Sequence, residues 1–549
     1  MRNIVFLFSF ADAGKILSDI NSTVNKIVWG EPFLLLLVGV GVFLSVRLRF
    51  FQAVRFPYWM RNTFLAIFKT PSVRSKDKKS RTISQFQALS TSLAATVGTG
   101  NITGVAAAIT VGGAGAVFWM WVAAFFGMIT KFSENVLGIY YRRKNSDGEW
   151  SGGAMYYLKY GLEKKRFFKY LAKPLSIAFS LFCVLASFGI GNMLQCNNIT
   201  STAVSAFSLS GINVFGVYLS PEFILGILLA VLVAIPILGG VKKVGAVAEK
   251  IVPFMAVFYI LGCLYIFITH ISSAGSVFRL IFQGAFGFDS VCGGSIGILI
   301  SRTVTTGIKR GVFSNEAGLA SSVSVNVSSD VKEPVKQGMW GIFEVFFDTF
   351  IICTLTAFVI LSSGLVDFST GLMASSLEGT ALVTEAFASS MGNAAGIFVA
   401  IATLFFAFST ILGWSQYGVK ATEYLFGLGS VKFYKIVFIF FVIIGSTMNL
   451  SLAWDISDTF NGLMALPNLI GLLILSKTVV SVTDNYRKRK FLNDKNEVPD
   501  VSAFEDIESE MATAIMAEEA FAKNGEDSGA ENVKRRKRGK ERAKGDKER

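Results

Sequence analysis

The chain has 549 residues, of which 52% are hydrophobic and only 16% charged, and its mean hydropathy is +0.53. Such a composition excludes an ordinary soluble domain and places most of the chain in a lipid bilayer. The formal net charge of +14 does not point to nucleic acid, because the basic residues cluster between apolar runs and at the C-terminal end, where membrane orientation accounts for them.

In chain order, the first apolar stretch runs from Ile4 to Phe10 with only Arg2 ahead of it, a poor signal-peptide pattern whose removal is left open. The first convincing span covers 31 to 48, and the basic stretch from Arg47 to Arg81 that follows it is read as cytoplasmic. Further spans fall at 83 to 110, 115 to 141, 172 to 208, 221 to 240 and 246 to 270. A broken segment within 276 to 316 comes next, then spans at 337 to 364, 395 to 425, 433 to 450 and 455 to 480.

The reading is an all-α integral membrane protein of about eleven crossings. It sits in the plasma (inner) membrane with its N-terminus outside and its C-terminus cytoplasmic, so that every basic cluster falls on the cytoplasmic side. With the first span set aside, five crossings followed by five give the parity of an inverted repeat. The expected organisation is an extra N-terminal helix and basic loop (1–82), a first five-helix repeat (83–270), a second (271–485) and a charged, disordered cytoplasmic tail (486–549).

Within the span 83 to 110, Gly98, Gly100 and Asn101 stand among hydroxyl residues where regular helix is expected, and helix propensity collapses there. Unwound backbone at membrane depth supplies carbonyls and half-helix ends as ligands for a cation and a carboxylate. The competing reading is a small-residue face for close helix packing. The matching break in the second half is expected at Gly293-Gly294-Ser-Ile-Gly297, with an ordinary extracellular loop as the alternative.

Other polar positions lie on the spans. Ser409, Thr410 and Trp414 share one apolar helix, with Trp414 one turn after Thr410, although Ser and Thr also bond back to their own helix. Asn192 and Gln195 should face the interior. Glu344 and Asp348 lie four apart on one face, suited to a proton or to an ion pair with Lys309 or Arg310, while Gly307 to Gly318 reads as an inner gate or hinge. There is no GxxxxGK[ST] loop, and five cysteines without C-x-x-C spacing and a lone histidine, His270, carry neither a disulfide framework nor a triad or metal centre. No enzyme activity and no cofactor are expected.

These segments resemble the alanine or glycine:cation symporters, also called sodium:alanine symporters. The resemblance rests on VGTGNITGVAAAITVGGAGAVFWMW (97 to 121), SGGAMYYL (151 to 158), GIKRGVFSNEAG (307 to 318), PVKQGM (334 to 339), FAFSTILGWSQYG (406 to 418) and WDISDTFNGLMALPN (454 to 468). It implies a LeuT-type fold, a 5+5 inverted repeat with substrate at the bilayer midplane. By similarity, Thr99, Gly100 and Asn101 hold the carboxylate of the amino acid, with Gln195, Thr410 and Trp414 lining the site. The sixth core helix would add Gly294, Ile296 and Ile300. Ala94, Val97 and Phe406 carbonyls with the Ser409 and Thr410 hydroxyls form the sodium site. The chain departs from the family pattern at Ala154, at Leu319 to Asn326, and at Gln416 and Val419, all outside these midplane positions.

The implied function is import of a small neutral amino acid, alanine or glycine, by symport with sodium or a proton. A channel would need a continuous polar pore, and a transporter-like sensor has only the tail in its favour. The expected partners are the amino acid, the cation and the lipid bilayer, with oligomeric state open and a monomer sufficient.

Overall fold

The computed structural model describes residues 10–75, 82–286, 296–367, 375–448, 451–492, 494 and 496–517. The long helices are α1 (Phe10–Val28), α2 (Glu31–Arg47), α3 (Gln85–Thr96), α4 (Thr103–Gly112), α5 (Ala116–Tyr140), α6 (Lys169–Phe188), α7 (Leu194–Phe207), α8 (Pro221–Leu238) and α9 (Gly240–Thr269). The second half adds α10 (Ala274–Phe286), α11 (Ile296–Asn315), α12 (Pro334–Val345), α13 (Thr354–Ser362), α14 (Gly379–Met391), α15 (Ala394–Phe426), α16 (Val431–Thr447) and α17 (Ser451–Phe491). Two short hairpins, Arg143–Lys144 with Trp150–Ser151 and Ile212–Val214 with Val217–Leu219, lie between helices.

Local sequence sets several of the ends. Ser84 caps α3 in a reciprocal box, its hydroxyl accepting from the Gln87 amide while its own amide donates to the Gln87 side chain. Ser220 caps α8, with Pro221 at the first helical position, where a missing N–H costs nothing.

Lipid-facing surfaces are recognised by what they leave exposed. Leu228, Val231, Leu232 and Ile235 of α8, with Val257, Leu261 and Ile268 of α9, project outward from the bundle. So large an apolar surface suits hydrocarbon, not water. The polar side chains are turned the other way, with Thr91, Asn101, Lys131, Glu134 and Asp348 fully buried.

Among the described residues, nine helices are long and apolar enough to cross a membrane, ten when α3 and α4 count as one span bent by 55°. The expected eleventh was the segment 276 to 316, and neither of its halves qualifies. Helix α10 has only 13 residues, and α11 carries Arg302, Lys309 and Arg310. The first span is also longer than the sequence suggested: the apolar stretch reaches from Ser18 to Arg47, because α1 and α2 are joined by a turn at Trp29 and Gly30. Helix α1 packs against α17.

The broken span α3/α4 lies at the centre of the bundle, where α3 packs on α9 and α15 and α4 packs on α11. Helix α5 lies against α11 and α12, and α6 against α15 and α17.

The tail differs from expectation up to residue 517. Helix α17 continues to Phe491, where Tyr486 and Tyr58 share a hydrogen bond of 2.9 Å and Tyr58 stacks edge-on against Phe491. The Asn485 amide donates to the Val498 carbonyl at 2.7 Å, the Ala503 amide donates to the Tyr140 carbonyl at 2.9 Å, and Arg143 lies over the Phe504 ring. Residues 505–517 are helical and bury Ile507, Ala512 and Ile515. Charge content hid that apolar stripe. The remainder of the tail lies outside the described residues.

Candidate functional site: two helix breaks facing one another

Helix α3 stops at Thr96, a short 3-10 turn covers Thr99–Asn101, and α4 restarts at Thr103. The Asn101 side chain accepts from the Gly98 amide at 2.9 Å, replacing a helical bond lost at the break. Gly98 is required by close approach, because a Cβ there would lie 2.3 Å from Thr410 Oγ1. That closeness lets the Thr410 hydroxyl reach the Ala94 carbonyl at 3.1 Å as well as the Phe406 carbonyl of its own helix at 2.9 Å. Ser409 donates to the same Phe406 carbonyl at 2.9 Å and also lies 3.3 Å from Met255 Sδ.

The third span of the first half contributes through an irregularity of its own. Between α6 and α7, Gly189–Met193 form one π-helical turn, a feature frequent at functional sites. The turn brings the Ile190 carbonyl within 3.0 Å of Gln195 Nε2, which aims Gln195 Oε1 at the Thr99 hydroxyl, also at 3.0 Å. Trp414 fills the adjacent space: a Cβ on Gly191 would stand 2.4 Å from Trp414 Cβ, and the indole lies 5.2 Å, centroid to centroid, from the Tyr417 ring.

The structure shows a break further along the chain than the one expected at Gly293 to Gly297. Residues 293–295 fall outside the described residues, and Ile296 and Gly297 belong to the first turn of α11. The helix continues to Asn315, and the chain then leaves it through three left-handed residues, Glu316 (φ 56°), Gly318 (φ 91°) and Ala320 (φ 54°). Within α11 it is Phe313 and Ser314 that face Gly100. Ile300, fourteen residues earlier in sequence, is roughly 20 Å away along the helix at 1.5 Å per residue. The expected contact at Gly294 lies outside the described residues, and of α11 it is Phe313 and Ser314, not Ile296 or Ile300, that lie beside the first break. The run from Gly307 to Gly318, read as an inner gate or hinge, carries the helix into the centre of the bundle.

Asp348 joins the two breaks. It lies on a π-helical stretch, Phe346–Cys353, between α12 and α13. There it accepts from Asn101 Nδ2 at 2.6 Å, from the Ser314 hydroxyl at 2.9 Å and from the Thr349 hydroxyl at 2.9 Å. The expected pairing of these acids with Lys309 or Arg310 does not form: Glu344 pairs instead with Lys131 of α5 at 3.6 Å and accepts from Ser92. Lys131 also donates to the Asn315 carbonyl at 3.3 Å, at the end of α11, where carbonyls lack helical partners. Lys309 pairs with Asp458 of α17 at 2.8 Å.

Sequence reasoning passed over Lys131 and Glu134. Their signal was available, as a polar run from Thr130 to Asn135 inside an apolar span. The geometry brings together backbone carbonyls, hydroxyls and the positive end of α4. Oxygen ligands of this kind suit a hard cation, and a helix N-terminus suits a carboxylate.

The family model described as the sodium:alanine symporter family matches residues 14–500. The sodium/alanine symporter AgcS of Methanococcus maripaludis is 43% identical over 475 residues, 86% of this chain and 98% of that protein. The probable sodium/glutamine symporter GlnT of Bacillus subtilis is 35% identical over 477 residues, 87% of this chain and 92% of that protein. Among solved structures, MhsT in complex with L-phenylalanine matches with a TM-score of 0.50 at 14% identity, covering 74% of this chain and 99% of that one. At that identity the likeness shows the fold alone, and the fold is of the LeuT type. The chain is a multi-pass membrane transporter, not an enzyme, and it belongs to the sodium:alanine symporter family.

Proposed function

We propose that the chain imports a small neutral amino acid, alanine or glycine, by symport with sodium across the plasma membrane, with the N-terminus outside and the C-terminus cytoplasmic. The observation that carries this reading is the Thr410 hydroxyl, which spans the gap between the broken span and α15 by bonding both the Ala94 and the Phe406 carbonyls. Oxygens already converging from two helices need only rotate a hydroxyl hydrogen away to accept a cation. Sodium would take the Ala94, Val97 and Phe406 carbonyls with the Ser409 and Thr410 hydroxyls. The substrate carboxylate would lie at Thr99, Gly100 and Asn101 against the N-terminus of α4, beside Gln195 and Trp414. The buried Trp414 indole and the Phe313 ring, 3.5 Å from where a Cβ on Gly100 would stand, favour a small side chain. Glutamine, named for one relative, is the competitor to exclude.

The test is uptake by the purified protein in liposomes. Labelled alanine, glycine and glutamine are each offered with an inward sodium gradient, a proton gradient, or neither. Saturable alanine or glycine uptake driven by sodium is expected. Flux that is non-saturable and independent of any gradient overturns symport, and preference for glutamine overturns the small-substrate assignment.

A further inference from the structure

The structure assigns a second ligand site, a seat for the phosphate headgroup of an anionic phospholipid in the groove between α2, the loop entering α6 and the middle of α17. The groove has a volume of about 600 Å³. Five of its lining residues are cations, Arg47, Lys164, Lys165, Arg166 and Lys477, and none is a carboxylate. Among the described residues, Arg47, Lys165, Arg166 and Lys477 have no carboxylate within ion-pair distance. Arg47 donates to Ser476 at 3.1 Å, and Lys164 donates to the Ala503 carbonyl at 2.9 Å. Uncompensated positive charge in a concave site is unfavourable without an anion, and guanidinium and ammonium groups match phosphate oxygens.

Lipid is the occupant, in preference to a free phosphate ion, because of what flanks the charges. Phe43, Leu473 and Ile474 line the same groove. Phe167, beside Arg166 in the chain, is 84% exposed. Aromatic and aliphatic side chains around a basic cluster at a helix end suit acyl chains and the interfacial layer, whereas an aqueous anion gains nothing from them. A second basic recess adjoins the first through their common residue Arg47. The positive charge thus continues along the seam between the N-terminal helix and α17. A headgroup there would tie α2 to the rest of the bundle.

The experiment uses the full chain in a neutral detergent and measures the melting temperature and retained lipid by native mass spectrometry. Dioctanoyl phosphatidylglycerol, dioctanoyl phosphatidylcholine and inorganic phosphate are added in separate arms. Phosphatidylglycerol should raise the melting temperature and remain bound, with neither effect from the other two. In the variant Arg47→Gln/Lys165→Gln/Arg166→Gln/Lys477→Gln, phosphatidylglycerol affinity should fall several hundredfold, each of the four cations being worth about fivefold. The lipid-free melting temperature should not fall. An equal response to phosphatidylcholine or to inorganic phosphate overturns the assignment, as does full retention in the variant. Should the fourfold variant melt without lipid, Lys477→Gln alone, at an exposed side chain, should weaken retention about fivefold, and unaltered retention there refutes the site.

Discussion

The two helix breaks meet at Asp348 yet are built by opposite means. The first, at Val97 to Ile102, uses glycines, and none of its residues has a positive φ. Its glycines serve proximity: Gly98 makes room for Thr410 and Gly100 faces Phe313. The second, at Glu316 to Ala320, has only Gly318 as a glycine, and Glu316 and Ala320 adopt left-handed backbone with side chains attached, at a cost of roughly 1–2 kcal/mol each. One break is relaxed and closely packed. The other stores backbone strain that its surroundings must hold, through Lys131 on the Asn315 carbonyl and Asn468 on the Gly318 carbonyl. A strained segment beside a relaxed one is the better candidate for the part that rearranges during transport.

The largest effect is expected from Gly98→Ala, whose methyl would collide with Thr410 Oγ1. Overpacking of this kind costs about 1–3 kcal/mol, and sodium-driven alanine uptake in proteoliposomes should fall at least tenfold. Wild-type uptake from this variant would show that the first break is loosely packed after all.

Asp348→Asn should come next. It replaces one of two accepting oxygens, Oδ1 bonded by Asn101 or Oδ2 bonded by Ser314 and Thr349, by an amide facing donors. An unsatisfied buried group costs about 1–3 kcal/mol, so alanine affinity measured by calorimetry should weaken about tenfold or more. Equal affinity would sever the proposed link between the breaks.

Thr410→Ala should raise the sodium concentration for half-maximal uptake about tenfold, equivalent to about 1.4 kcal/mol. Ser409→Ala should raise it less, since of the two only Thr410 bonds the Ala94 carbonyl. The reverse order in sodium titrations would move the cation site.

Ala320→Gly should relieve left-handed strain and stabilise the protein by up to about 1 kcal/mol, visible as a higher melting temperature in detergent. A lower one would mean that Ala320 is not strained.

The smallest effect on stability should come from Gly100→Ala, since the nearest protein atom, Phe313 Cδ1, lies 3.5 Å from the added Cβ. The melting temperature in detergent is expected to stay at the wild-type value, because that distance is ordinary contact, and a clear fall would show that the two breaks are packed more tightly there.

How much was legible follows from these same residues. The membrane class and the first break stand in the sequence itself. Long apolar runs have no stable alternative to helix in a bilayer, and Gly98, Gly100 and Asn101 violate local helix propensity where only function or packing explains them. That Thr99 shares a site with Gln195, and Thr410 one with Ala94, followed from resemblance to relatives, and the hydrogen bonds between them came from the structure, because partners 96 and 316 residues apart leave no local trace. Tertiary structure decided the rest. Left-handed Glu316 and Ala320 look like ordinary helix residues in sequence, since surrounding contacts impose that backbone. The partners of Glu344, Asp348 and Lys309 depend on which helix faces meet in three dimensions. In a bilayer the apolar pattern fixes that a helix forms, but the interior polar contacts that fix its rotation and partners are set only once all the spans are packed.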